Sequence, residues 1–212
     1  IFKNSNYIPM GFTYDYYMNI NDIDGVDNED VTLGDSGELI NNETLSDKEK
    51  LRREKLLLKA IWLDDEQIAK YGGMMEKLPQ ELAEDISDET AFSDCEKRRS
   101  SSAYEFMPDK TGFTSRIDTA KDTLVFYSVP YDDGFKAYVD GQRTDIEKVF
   151  GGLSAVYVPA GEHEIRFEYH SAGLKESIII SIATAAVTVI YGIASAVINR
   201  KNGNMSVQKS SG

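Results

Sequence analysis

The residues best equipped for chemistry in this sequence are tyrosines set beside aspartates: Tyr14-Asp15-Tyr16-Tyr17 and Tyr131-Asp132. An aromatic ring stacks on the apolar face of a pyranose, and an adjacent carboxylate accepts hydrogen bonds from the sugar hydroxyls. Tyr14, Asp15, Tyr17, Tyr131 and Asp132 are therefore the expected ligand-binding residues, and a carbohydrate is the expected ligand class. A structural role competes with this one, because strand alternation turns half of each aromatic run toward the core. If 14–17 formed one strand, Tyr14 and Tyr16 would share a face, and Asp15 and Tyr17 the other.

Other chemistries have less support. Cys95 is the single cysteine, which excludes an internal disulfide or a cysteine-cluster zinc site; as a nucleophile it would need a base close in space. His163 and His170 lie in or just after one strand, seven residues apart, so a regular strand points them to opposite faces and forms no metal pair. The acidic run from Asp22 to Glu38 contains Asp22, Asp24, Asp27, Glu29 and Asp30. It fails the EF-hand template, since Gly25 at the sixth loop position puts Ile20 at the first and Val31 at the twelfth. A solvated surface loop is expected there, with an irregular calcium loop as the alternative. Gly72-Gly73 and Gly151-Gly152 lack the spacing and the lysine of a phosphate loop. No catalytic residue, metal or cofactor is expected within the chain. Nor is nucleic acid an expected partner, because 23 basic against 36 acidic side chains leave a net charge of -13, which repels phosphate backbones.

The elements that must carry these residues are mostly strands. Thr123–Val129 is β-branched and aromatic and ends at Pro130, before the turn residues Asp132-Asp133-Gly134. Phe135–Val139 and Gln142–Ile146 flank Asp140-Gly141, a two-residue link that favours a hairpin turn with Gly141 at positive φ. Leu153–Val158 and His163–Tyr169 follow, the latter with Ile165, Phe167 and Tyr169 on one face and Glu164, Arg166 and Glu168 on the other. Before them, Ser46-Asp47-Lys48-Glu49 has capping-box spacing and opens a helix to about Trp62, with Leu51, Leu58, Ile61 and Trp62 on one face. Asp65 then caps a short helix through Tyr71, stopped by Gly72-Gly73. Residues 87–112 show weak periodicity and receive no element. The predicted fold class is mainly β: an antiparallel, jelly-roll-like β-sandwich over 1–175 with a helical insertion at about 46–86.

A soluble average, mean hydropathy -0.39, conceals one apolar segment. Ile178–Ile198 holds 21 residues without a charge. As a helix it spans about 31 Å, against a hydrocarbon core of about 30 Å. A transmembrane helix is predicted at 177–199, followed by a basic tail at 200–212. Arg200, Lys201 and Lys209, with no acid among them, put that tail in the cytoplasm and the acidic bulk outside. Thr184, Thr188, Gly192 and Ala196 form a ridge of small residues that suits packing on neighbouring helices. The lipid bilayer and further membrane helices of the same protein are thus the expected partners. Ile1 stands where Met would, and no signal sequence follows, so a longer parent is expected.

Three stretches resemble the YfhO family of bacterial multi-pass membrane proteins: NSNYIPMGFTYDYY (Asn4–Tyr17), LVFYSVPYDDGFKAYVDGQ (Leu124–Gln142) and YVPAGEHEIRFEYHSAGLK (Tyr157–Lys175). Residues 18–45 and 85–112 carry little of the likeness, and Phe135 stands where the family pattern has Trp. The resemblance implies a cell-membrane parent similar to glycosyltransferases that take sugars from polyprenyl-phosphate carriers and decorate teichoic acid or another cell-surface polymer. It places the catalytic carboxylate in an earlier extracytoplasmic loop and makes this chain a non-catalytic extracytoplasmic domain with the last membrane helix. The alternative is a carbohydrate- or protein-binding module of a non-enzymatic membrane protein.

Overall fold

In the computed structural model, which describes residues 6–22, 47–171 and 173–209, short strands and helices succeed one another through the first unit of the chain, up to His170. They are β1 (Phe12–Thr13), β2 (Tyr16–Asn19), α1 (Asp47–Lys59), β3 (Ala60–Leu63), α2 (Asp65–Tyr71) and β4 (Glu76–Lys77). Two helices follow, α3 (Gln80–Glu84) and α4 (Asp88–Ser100). The remainder is strand: β5 (Glu105–Pro108), β6 (Gly112–Thr119), β7 (Thr123–Pro130), β8 (Phe135–Val139), β9 (Gln142–Thr144), β10 (Ile146–Val149), β11 (Leu153–Val158) and β12 (Gly161–Tyr169).

Two antiparallel sheets form the sandwich, ordered β1-β7-β11-β10 and β5-β6-β12-β8-β9. The mainly β, antiparallel fold class read from the sequence is therefore the observed one. Between the sheets lie Phe113, Ile117, Val125, Tyr127, Val156 and Phe167. Leu124, Phe126 and Ala155 of the four-stranded sheet turn the other way, into a second core with Phe12, Tyr14, Ile61 and Trp62. That sheet is thus covered on both faces, which is why β7 is buried at every position from Thr123 to Tyr127 instead of alternating.

Turn chemistry sets the register. Asp140 and Gly141 both take positive φ, 51° and 77°, and Val139 faces Gln142, as a primed two-residue hairpin requires. The strand expected at Gln142–Ile146 is divided. β9 stays in the five-stranded sheet, whereas β10 joins the four-stranded one, so the chain changes sheets at Asp145 and turns a corner of the sandwich. In β12, Ile165 and Phe167 are buried as expected, but Tyr169 is 40% exposed because the strand ends there.

The helical insertion differs most from expectation. Helix α1 stops at Lys59, and Ala60–Leu63, predicted as its last turn, is a fully buried strand. Strand β2 pairs in parallel with β3 and β4, forming a small sheet of order β3-β2-β4 within the insertion. Period alone cannot separate a short buried strand from a continuing helix, and the leucines before Ala60 masked the change. The buried face of α1 is Lys55, Leu56 and Lys59, while Leu51 is 46% exposed. Helix α2 is capped by Asp64 rather than Asp65: its side chain accepts from the Gln67 amide at 2.8 Å, and Gln67 Oε1 accepts from the Asp64 amide at 3.2 Å. Ser46 and most of the acidic run, residues 23–46, lie outside the described residues.

Helix α4 had no expectation because its buried residues are Asp94, Cys95 and Arg98, which leave no apolar stripe. Ser87 caps its start, accepting from the Thr90 amide. It packs on α1 through charge: Lys59 Nζ lies 2.8 Å from Asp94 Oδ2, and Lys55 Nζ 2.7 Å from Asp88 Oδ1.

The second unit contains helix α5 (Leu174–Lys209). Its segment Ser177–Ala196, 20 residues with mean hydropathy 2.1 and 0% buried, is long and apolar enough to cross a membrane. Ser181, Thr184 and Thr188 donate their hydroxyls to the carbonyls four residues earlier, at 2.8, 2.9 and 2.9 Å. The helix therefore satisfies these hydroxyls itself, as an apolar environment demands.

Candidate functional site

Pro130 ends β7, and the chain then crosses to β8 through Tyr131-Asp132-Asp133-Gly134. Asp132 Oδ1 accepts from the Gly134 amide at 2.7 Å and its carbonyl from the Phe135 amide at 3.0 Å, while the Tyr131 amide donates to Gly152 O at 2.8 Å. A side chain at Gly134 would put its Cβ 2.8 Å from both Asp132 Oδ1 and the His170 carbonyl, so glycine is required for the loop to close. Tyr131 and Asp132 are thereby held at the rim of a cleft whose far wall is the corner between β9 and β10. The cleft measures about 360 Å³ and is lined by Tyr131, Asp132, Asp133, Arg143, Asp145 and Glu147, among others. A second depression of about 300 Å³ shares Tyr131, Ile146 and Glu147 and reaches α2 at Gln67 and Lys70. Both have the size of small-ligand pockets, about 300–1,000 Å³.

Glu147 anchors the junction of the two depressions. Its Oε1 accepts from Lys70 Nζ at 2.6 Å and from the Tyr71 hydroxyl, and Gln67 Nε2 donates to the Lys148 carbonyl beside it at 3.0 Å. Burial would raise the Glu147 pKa, but the hydrogen bonds from Lys70 and Tyr71 outweigh it and hold the carboxyl below its usual value. Burial, followed by the hydrogen bond to this carboxylate, pushes Tyr71 up to about 12. Tyr131 also rises, through partial burial and a hydrogen bond with Asp133. At neutral pH the cleft therefore combines the ionised Glu147 carboxylate with the neutral Tyr131 phenol, which suits hydrogen bonding to neutral hydroxyl groups.

The other aromatic run is divided between two environments. Tyr14 follows β1 and is 3% exposed, its hydroxyl donating to Leu57 O at 2.7 Å and its ring under the Arg98 guanidinium at 4.7 Å. Desolvation raises its pKa. No face of that ring is open to a sugar. Tyr16 and Tyr17 belong to β2, in a different sheet from β1, so the expected alternation over 14–17 does not occur. Both pack against the core, and the Tyr17 ring lies 3.7 Å from where a Cβ at Gly72 would stand. Asp15 is exposed, 3.7 Å from Arg98 Nη2. The structure thus brings Tyr131 and Asp132 together in one cleft and does not bring Tyr14, Asp15 and Tyr17 to it.

Sequence reasoning overlooked Gln67, Lys70, Tyr71 and Glu147. They meet across 76 to 81 residues of chain, and no local spacing marks such a cluster. His163 Nδ1 meets Asp140 Oδ2 at 2.6 Å, whereas His170 is exposed. Cys95 is buried, and burial pushes its thiol pKa up, away from a reactive thiolate. Among the described residues no group of three His, Cys, Asp or Glu side chains is placed to hold a metal ion.

A β-sandwich is followed in the chain by an apolar helix long enough to span a bilayer, which is consistent with membrane association. Residues 87–181, from α4 to the start of the apolar segment, match the family model described as bacterial membrane protein YfhO. The match supports membership in the YfhO family, in agreement with the resemblance read from Leu124–Gln142 and Tyr157–Lys175. Neither a curated protein nor a solved structure matches the chain.

Proposed function

We propose that this chain is the non-catalytic extracytoplasmic domain and last membrane helix of a YfhO-type glycosyltransferase, and that its cleft receives the polymer to be glycosylated. The parent would transfer a sugar from a polyprenyl-phosphate carrier to teichoic acid or another cell-surface polymer. The observation that carries this reading is the cleft at Tyr131 and Asp132, where an aromatic ring, carboxylates and Arg143 line a depression that adjoins a second one at Tyr131, Ile146 and Glu147. Such a surface fits a chain of hydroxylated units better than a single apolar ligand. The basic flank Arg200, Lys201 and Lys209 supports a cytoplasmic tail and, with it, an extracytoplasmic sandwich.

The test is calorimetric titration of the full chain in non-ionic detergent with teichoic-acid fragments, using wild type, Tyr131→Ala and Asp132→Asn. Binding by wild type that falls about tenfold in Tyr131→Ala, with an unchanged melting temperature, is expected, since one stacked ring contributes on the order of 1–2 kcal/mol. Binding that survives both substitutions would place the polymer elsewhere. No binding by wild type would leave the alternative of a protein-docking module.

A further inference from the structure

A second cavity, of about 200 Å³, lies between α1, α3, α4 and the start of β2. Its walls hold three cationic side chains, Lys59, Lys97 and Arg98, against two carboxylates, Asp15 and Asp94. In a chain of net charge -13 this local excess of positive charge is contrary to the average.

The pairing inside the cavity is uneven. Asp94 serves both lysines, with Lys59 Nζ at 2.8 Å on Oδ2 and Lys97 Nζ at 3.3 Å on Oδ1. Arg98 is paired less closely: it has a long ion pair with Asp15, and its guanidinium lies 4.7 Å from the centre of the Tyr14 ring. Its side chain is only 3% exposed, yet the nearest carboxylate, Asp15 Oδ2, stands 3.7 Å from Nη2, beyond hydrogen-bonding distance. Nη1 is used on the Thr13 carbonyl, and Nε meets no hydrogen-bond partner among the described residues. A buried guanidinium without a hydrogen-bonded anion is costly, and a ligand oxyanion would remove that cost. The rest of the wall is Thr90 with Tyr16, Leu78 and Leu82.

We propose that this cavity binds a phosphate ester, with the phosphate against Arg98, Lys97 and Lys59 and the organic part on Tyr16, Leu78 and Leu82. A phosphate offers several charged oxygens to cations that approach from different elements, whereas a carboxylate offers two in one plane. The site is separate from the Tyr131 cleft and does not depend on the reading of that cleft.

The experiment is isothermal titration of the full chain in non-ionic detergent with phenyl phosphate, inorganic phosphate, benzoate and phenol. Phenyl phosphate should bind with a Kd below about 1 mM, inorganic phosphate more weakly, and phenol not at all. Lys97, whose side chain is 58% exposed, can be changed without disturbing the core, and Lys97→Gln should weaken phenyl phosphate about threefold to tenfold at an unchanged melting temperature. Arg98→Lys should weaken it further by removing the planar fork; should that variant not fold, Lys97→Gln still decides. Failure of wild type to bind phenyl phosphate, or equal affinity in Lys97→Gln, overturns the site. Benzoate binding as tightly as phenyl phosphate overturns the assignment to phosphate.

Discussion

The two faces of the four-stranded sheet are covered in different ways. On the sandwich side Phe113 stacks on Phe167 at 4.7 Å and 16°, Tyr127 meets Phe167 edge-on at 5.1 Å, and one buried polar pair, Ser115 Oγ with Tyr127 Oη at 2.6 Å, is satisfied internally. On the other side an aromatic cluster of Phe12, Tyr14, Trp62, Phe126 and Phe150 adjoins the α1–α4 layer, whose buried side chains include Lys55, Lys59, Asp94 and Arg98. Phe150 belongs to this aromatic cluster. It sits at the β10–β11 turn with φ 52°, an uncommon conformation for a bulky residue, and its amide donates to Trp62 O at 3.2 Å. Burial of its ring among Tyr14, Trp62 and Phe126 offsets that strain. The apolar face needs only volume and shape, whereas the charged layer needs partners for every group, and any group left over is available to a ligand.

That contrast is open to direct test. The largest effect is expected in the sandwich, where Phe167→Ala removes a 0% exposed ring and should destabilise the protein by about 4 kcal/mol in denaturant unfolding followed by near-ultraviolet circular dichroism. In the charged layer, Asp94→Leu strands buried Lys59 and should lose about 3 kcal/mol, most of which returns in the Asp94→Leu/Lys59→Met double variant. A double variant no more stable than the single one would show that the pair acts independently, against the contrast drawn above. At the exposed hairpin, Gly141→Val forces a β-branched residue into φ 77° and should cost about 1–2 kcal/mol with both cores intact.

The smallest effect concerns pH. The hydrogen bond with Asp140 raises the His163 pKa above its ordinary 6.5, so the stabilisation by protonated His163 is complete below 6.5 and is lost as pH rises through the raised value. Asp140 is lowered from 3.8 by its bonds to the Glu164 amide and His163, and its contribution is lost as pH falls through the lowered value. Wild type should therefore exceed His163→Gln in stability mainly between about pH 4 and 6.5. The difference should stay below about 1 kcal/mol, because Asp140 is half-exposed and solvent screens the pair. Melting temperatures of both proteins across that range measure it, and parallel curves would remove the pair from the stability balance.

Much of the sandwich was legible because its signals are local. Asp140-Gly141 specifies its turn through φ, Pro130 ends a strand, and the alternation around Ile165 and Phe167 assigns a buried face. The apolar helix was legible for the same reason, since bilayer thickness translates into a run of uncharged residues. The insertion was not. Ala60–Leu63 is a strand only because β2 lies beside it, and α4 is buried through Asp94 and Arg98 because α1 and β1 supply their partners.

The candidate sites divide along the same line. Tyr131 and Asp132 were visible as an aromatic beside a carboxylate in a turn, yet Tyr14 carried the same signature and is core. Only the packing of β1 and β2 into separate sheets distinguished them. Glu147 with Lys70 and Tyr71, and Arg98 beside Lys97 and Lys59, joined through folding alone. Sequence by itself determined strands β7, β8, β11 and β12, the hairpin turn and the apolar span, since each depends on residues within a few positions of one another. Tertiary structure decided which polar side chains are buried, paired or left over, because desolvation and pairing depend on distance in space and not along the chain.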